Sequence, residues 1–348
     1  MRVDGVFVAG LGAYIPAVFD AARAVETGRY DPEQHRRGGW TGAAVAGDMA
    51  APDLAVRAAR QALDSCGHDP SEIDILFHAT VLAQGPDGWS PQHYVQRHTI
   101  GGHAPAVEIR QACNGMLGGI ELACSYLVAG DRTAALVTGG DNFGSPLVDR
   151  WRYADGGGTD RGSILGDAGT AVVLSRRGGF AKLLAVGSAS LPEFEEMYRG
   201  DEPLFPPSCT VGRPMEIGRR FAEFAARRPD GLVAVMRRLR DARTELARRT
   251  IAEAGLVPAD ITRATHVFAG QMSYLRSVLG PVGIDPSRGM LEFGRRLGHM
   301  GVNDHIAGLT HLVEQREVGP GDHVMLLGNG SGMTLSCVVI EIITDRDQ

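Results

Sequence analysis

What most constrains this chain is that one order of β-like runs and helical patterns occurs twice along its 348 residues. Short apolar runs and amphipathic stretches read as strand 5–11, helix 51–66, strand 73–80, helix 116–129 and strands 133–138 and 169–175. After Arg176-Arg177-Gly178-Gly179 a similar order begins again, with strand 180–188, a long arginine-rich helix 232–254, strand 266–269, helix 306–315 and strands 324–327 and 335–343. The pattern predicts an α/β protein of two like halves, 1–178 and 179–348, with parallel-rich sheet covered by helices.

Composition removes several classes of function. No stretch approaches the ~20 apolar residues that span a bilayer, and Asp4 stands where a secretory leader would be basic, so the expectation is a cytoplasmic protein without membrane contact. Cys66, Cys113, Cys124, Cys209 and Cys337 are scattered, odd in number and free of any C-x-x-C pair, which predicts free thiols, no metal site and no bound cofactor. A net charge of −6 and a pI near 6.0 give no reason to expect nucleic acid, although every basic residue except Lys182 is arginine. Val8-Ala9-Gly10-Leu11-Gly12 has two of the three dinucleotide-binding glycines and no helix pattern directly after them, which disfavours an oxidoreductase.

The chemically richest stretch runs from Val107 through Cys113-Asn114-Gly115 to Ala123. A β-like run ends, a cysteine occupies the turn and a glycine-rich helix begins, so the helix dipole favours the thiolate over the thiol. Gly115, Gly118 and Gly119 are costly in a helix unless close packing compensates. For a lone cysteine the alternative is a small buried thiol, but the strand, turn and glycine context favours a nucleophile.

With these residues the chain resembles the ketoacyl synthase III family of the thiolase superfamily, whose nucleophile lies in a comparable A-C-x-G segment. Gly47-Asp48-Met49-Ala50 with the following Leu54 to Ala59, Gly166-Asp167-Ala168-Gly169-Thr170, and Gly328-Asn329-Gly330-Ser331-Gly332 agree with it in order and spacing. The resemblance implies a thiolase fold of two βαβαβαββ halves in five layers, αβαβα, an acyl-CoA or acyl-carrier-protein substrate and a homodimer. It also implies an oxyanion hole made by the backbone N–H groups of Cys113 and Gly330, which is what a tetrahedral thioester intermediate needs. Taken alone, Gly-Asn-Gly-Ser-Gly is equally readable as a plain loop.

The condensing members of that family stabilise an enolate with a His and an Asn from the second half. Here Phe268-Ala269-Gly270-Gln271 puts glycine at the histidine's place, and Gly298-His299-Met300-Gly301-Val302-Asn303-Asp304 puts His299 at the asparagine's place. A histidine followed five residues later by an aspartate is a base with an orienting partner. This resembles ketoacyl synthase III-like acyltransferases of natural-product pathways, which use a Cys, His, Asp triad. The expectation is acyl transfer through Cys113, with His299 as base and Asp304 as its holder, to a hydroxyl, amine or carrier thiol, in polyketide or other secondary metabolism.

Other readings stay open at this stage. Asp304 is readable as a helix cap, His305 as the base, and Asn303 as an amide donor that restores a decarboxylating synthase; a silent partner of a heterodimer is a further reading. Trp89, Gly270, Asn303 and Ser331 are candidate pocket residues, Trp89 on a loop that matches the family's subunit-contact loop. Arg237, Arg238, Arg240 and Arg243, on an amphipathic helix, are a candidate patch for an acidic carrier.

Overall fold

The computed structural model describes residues 1–154, 163–228 and 231–346. Eleven strands are formed in it: β1 (Phe7–Tyr14), β2 (Val18–Asp20), β3 (Gly42–Ala44), β4 (Ile73–Ala79), β5 (Ala106–Ile109), β6 (Ala134–Asp141), β7 (Ala168–Ser175), β8 (Ala181–Ser190), β9 (Ile261–His266), β10 (His323–Gly330) and β11 (Thr334–Ile342). Nine of them form one sheet in the order β5-β4-β6-β7-β1-β8-β11-β10-β9, and β2 and β3 make a separate ribbon. The order reads outward from β1 and β8 as two copies of one scheme, with no counterpart of β5 in the second half among the described residues. Only Phe7 and Val8 of β1 pair with β8, so the joint between the copies is narrow.

The helices complete the layers. Helix Ala51–Asp64 covers β1, β6 and β7 on one outer face and helix Gly231–Glu253 covers β8 and β11 on the other. Helix Gly115–Val128 touches β4 and β6 as well as β8, β10 and β11, and helix Asp304–Glu314 touches β1 and β7 as well as β9 and β10, so both lie between the halves. This is the expected five-layered thiolase arrangement. The central layer is held by complete burial of side chains such as Leu117 and Leu127, each contributing about 1.5–3 kcal/mol.

Two expectations need correction. The sheet is not parallel-rich: β4–β5, β4–β6 and β9–β10 are parallel, but the remaining five pairs are antiparallel. Parallel pairing needs a crossover, and the chain crosses over only where a helix intervenes. The strand expected at 266–269 lies earlier, at Ile261–His266, and the apolar Val267-Phe268 continue past its end. The glycines of Val8-Ala9-Gly10-Leu11-Gly12 have a packing role: a Cβ on Gly10 or Gly12 would overlap the carbonyl oxygens of Ala62 or Ala58, so their absence lets helix Ala51–Asp64 lie directly on β1.

Candidate active site

Cys113 sits between β5 and the helix Gly115–Val128, at the positive end of that helix. The turn is tight, with Asn114 N–H donating to the Gln111 carbonyl (3.1 Å) and Gly115 N–H to the Ala112 carbonyl (3.1 Å). Ala112 holds φ 47°, a left-handed conformation that costs a non-glycine residue free energy and is typical of functional turns. The end of β10 lies against this turn. A Cβ on Gly330 would overlap the Gln111 carbonyl, so glycine alone lets the Gly330 backbone come alongside the cysteine turn.

His299 enters from the second half, after helix Leu291–Leu297 and Gly298, whose φ of 76° turns the chain. Its backbone is clamped across to the first half: His299 N–H donates to the Ile164 carbonyl (2.8 Å) and Gly166 N–H donates to the His299 carbonyl (2.9 Å). That segment is in turn fixed by Asp167, which is fully buried, takes both Arg150 guanidinium N–H groups (3.1 and 2.9 Å) and accepts from Ala46 and Phe143 N–H (2.8 Å each). A forked, buried pair of this kind is rigid as well as strong.

The side chains then form one line. His299 Nε2 is 2.9 Å from Cys113 Sγ, and His299 Nδ1 is 2.6 Å from Asp304 Oδ2. Asp304 has no exposed surface and also accepts from Phe268 N–H at Oδ2 and Met300 N–H at Oδ1 (2.7 Å each). A buried carboxylate with three donors around it fixes one imidazole orientation and one tautomer. The helix-cap alternative for Asp304 is not what forms, because Asp304 is already the first residue of helix Asp304–Glu314 and its carboxylate reaches backward. His305 does not join this line: its Nε2 meets the Leu327 carbonyl (3.3 Å), and burial pushes its pKa down to about 4.

Burial pulls His299 toward its neutral form, but the charges of the Cys113 thiolate and the Asp304 carboxylate outweigh it and hold the imidazole pKa well above its ordinary value. A folded value above the unfolded one means that protonated His299 stabilises the fold fully below about pH 6.5 and that this stabilisation is lost as pH rises through the raised value. Cys113→Ala removes one of the two charges, so the loss should move to lower pH. Melting temperatures of both proteins from about pH 6 to pH 9 test this, and superimposable profiles would count against the ion pair.

The remaining candidates divide. Ser331 lies close enough to Tyr198 to act on its hydroxyl, and Trp89, partly exposed at 37%, packs edge-on against Tyr94 and lines a cavity of about 610 Å³ with Leu82, Gln84, Asn142 and Cys209. Gly270 and Asn303 are not pocket residues. Gly270 is buried, and a Cβ there would overlap the Gly38 carbonyl; Asn303 is fully buried and spends its amide on Thr170 Oγ1 (2.8 Å) and the Ala168 and Met300 carbonyls (3.1 and 2.9 Å). Arg243 leaves the proposed surface patch, since it is buried and donates to the Ser277 carbonyl (3.0 Å). Arg238 pairs with Glu193 and Arg240 with Asp241 (2.9 Å).

A second cavity of about 760 Å³ escaped sequence reasoning, because its wall is assembled from six segments. It includes Tyr153, Met197, Tyr198, Tyr274, Asn329 and Met333, together with Arg237 and Arg240. Two of its tyrosines feel the thiol: burial first, and then the negative charge of Cys113, raise Tyr153 and Tyr198, the latter to about 12. Among the described residues no group of His, Cys, Asp and Glu side chains is arranged for a metal ion, and no helix is long and apolar enough to cross a membrane.

Comparison with known proteins agrees with this fold. Residues 107–190 match the family profile of 3-oxoacyl-(acyl-carrier-protein) synthase III and residues 251–342 that of its C-terminal part. The solved structure of the acyltransferase ChlB3 is 42% identical, with a TM-score of 0.90 and 98% of each chain covered. The beta-ketoacyl-(acyl-carrier-protein) synthase III of Thermosynechococcus vestitus is 27% identical over 341 residues, 96% of this chain and 97% of that one. Other curated relatives are matched in part: the chain spans 9% of the non-reducing polyketide synthase aoiG of Aspergillus oryzae, at 27% identity over 218 residues, and about half of several bacterial synthases III. In fold, in matched segments and in near full-length similarity, this chain belongs to the 3-oxoacyl-(acyl-carrier-protein) synthase III family.

Proposed function

We propose that the protein is an acyltransferase that takes an acyl group from a CoA or acyl-carrier-protein thioester onto Cys113 and passes it to a hydroxyl, amine or carrier thiol without decarboxylative condensation. The observation that carries this reading is the line Cys113 Sγ, His299, Asp304, at 2.9 and 2.6 Å. The Cys113 thiolate attacks the thioester carbonyl, the carbonyl oxygen takes the charge beside the backbone N–H groups of Cys113 and Gly330, and the donor thiolate leaves with the proton of His299. Acylation removes the thiolate charge from beside the imidazole, leaving Asp304 and burial in opposition, so His299 is free to act as base toward the acceptor.

Family membership alone is equally compatible with a decarboxylating synthase. Against that reading stand the overlap that excludes a side chain at position 270 and the complete engagement of the Asn303 amide. The similarity to ChlB3, an acyltransferase, and to a polyketide synthase supports a place in polyketide or other secondary metabolism. Arg237 and Arg240 beside the larger cavity suit an acidic carrier. The unpaired edge strand β5, with Val107, and Leu122 and Val128 on the adjoining helix, 42% to 47% exposed, suits a second copy of the chain in a homodimer.

Intact mass after incubation with acyl-CoA and acyl-carrier thioesters, malonyl included, tests the activity. An adduct that requires Cys113 and forms without CO2 release is the expected result. CO2 release from malonyl thioester would overturn it in favour of condensation, and no adduct with any donor would favour a silent partner.

A further inference from the structure

Asp141, at the end of β6, is fully buried, and no cation contacts it among the described residues. Its Oδ1 accepts from Val81 N–H (2.8 Å) and the Thr80 hydroxyl (3.1 Å), and its Oδ2 accepts from Val302 N–H (3.0 Å). Gly301, at φ 61°, is what admits the carboxylate so closely, because a Cβ there would overlap Oδ2. Asp141 therefore joins two segments. On one side, Gln84 Nε2 donates to Thr80 Oγ1 (2.8 Å), and Gln84 lines the 610 Å³ cavity with Leu82 and Trp89. On the other, Val302 lies between His299 and Asp304 and packs on Gly115, where the Cys113 helix begins.

We propose that Asp141 is a positioning residue for the His299–Asp304 segment and that the chain Gln84, Thr80, Asp141, Val302 transmits to that segment the state of the cavity wall. The inference rests on the acyl-transfer reading and adds to it a coupling between the cavity and the base.

The hydrogen-bond chain has two self-consistent settings. With Asp141 ionised, the Thr80 hydroxyl donates its proton to Oδ1. With Asp141 protonated, the carboxyl donates to Thr80 Oγ1, and the Thr80 hydroxyl turns to the Leu82 carbonyl, which is 2.9 Å away. Each setting leaves every proton with an acceptor, and they differ at the residue that forms the cavity wall. Burial outweighs the three hydrogen bonds and the charge on His299, which pull the other way, and the balance leaves Asp141 raised to about 7, so both settings are accessible near neutrality. His299 is the charged group that acts on it; the Asp167–Arg150 pair lies one residue beyond its ladder partner Ala168, and its direct contacts with Thr80, Val81 and Val302 are neutral.

The test is single-turnover transfer from a preformed acyl-enzyme, measured against pH for the parent protein, Asp141→Asn and Thr80→Val, with thermal melts alongside. Asp141→Asn puts an amide N–H among donors and is expected to slow transfer about 10- to 100-fold, as misplacement of a catalytic group does. It also removes a negative charge near His299, so the ascending limb of the profile should move to lower pH. Thr80→Val weakens the ionised setting and should move the limb the same way by less. A merely structural role lowers melting temperature and rate but leaves the limb in place, and that result, or parent-like profiles in both variants, overturns the proposal. If Asp141→Asn does not fold, Thr80→Val decides by the same criteria. Absence of transfer by the parent protein would instead remove the acyl-transfer reading, and this inference with it.

Discussion

His299→Ala is expected to trap the protein as a Cys113 acyl-enzyme. The imidazole holds 2.9 Å from Sγ in the resting protein, so the first half-reaction loses its cationic partner and slows. Thiolate attack on a thioester still proceeds without it, because a thiol leaving group needs little protonation and a cysteine thiol is partly ionised near neutrality. The second half-reaction is different. A hydroxyl or amine acceptor must lose its proton as it attacks, and the described residues offer no other base on this line, since His305 is turned to the Leu327 carbonyl and held near 4. Loss of a positioned base is worth on the order of 10²–10⁴-fold, so transfer should fall by that factor while the adduct stays visible by intact mass. A carrier-thiol acceptor needs less help, and a smaller loss with thiols than with alcohols would identify the acceptor class. Transfer to alcohols at parental rate in His299→Ala would remove His299 from the mechanism altogether.

Much of this was legible in the sequence where local signals and fold agree. The helices expected at 51–66 and 116–129 form at Ala51–Asp64 and Gly115–Val128, because alanine and leucine periodicity and flanking turns mark them. Cys113, His299 and Asp304 each stand at the edge of an element beside a glycine-rich turn, which made them findable singly; that they form one line is a tertiary fact. The misplaced strand at 266–269 has a simple cause. Ile261–His266 carries Thr262 and Arg263 with partly exposed side chains, and Arg263 reaches Glu317, so the true strand looked polar while Val267-Phe268 looked apolar. Asp141, Tyr153 and Tyr198 left no readable signal, because their importance comes from segments distant in the sequence, such as Val302 N–H on Asp141, 161 residues away.

The double variant Gly270→His/His299→Asn, which writes the condensing pair back into the sequence, is expected to fail as a synthase. The obstacle is backbone. The Gly38 carbonyl fills the place of a Cβ at position 270, a Cβ on Gly39 would in turn overlap the Gly270 carbonyl, and Trp40, 1% exposed, packs against the same point. Two chains in mutual contact through their carbonyls cannot give way as a flexible side chain does, so the larger residue must displace the 38–40 segment, and overpacking of this kind costs about 1–3 kcal/mol or more. The imidazole then has no defined place from which to meet an enolate, and the asparagine at 299 has lost the base that the segment was built to hold. CO2 release from malonyl thioester should therefore stay at the level of His299→Asn alone, with a lowered melting temperature. Malonyl-dependent CO2 release in the double variant, above both single variants, would mean that the 38–40 segment yields, and that the choice between transfer and condensation rests on two side chains instead of on the backbone packed behind them.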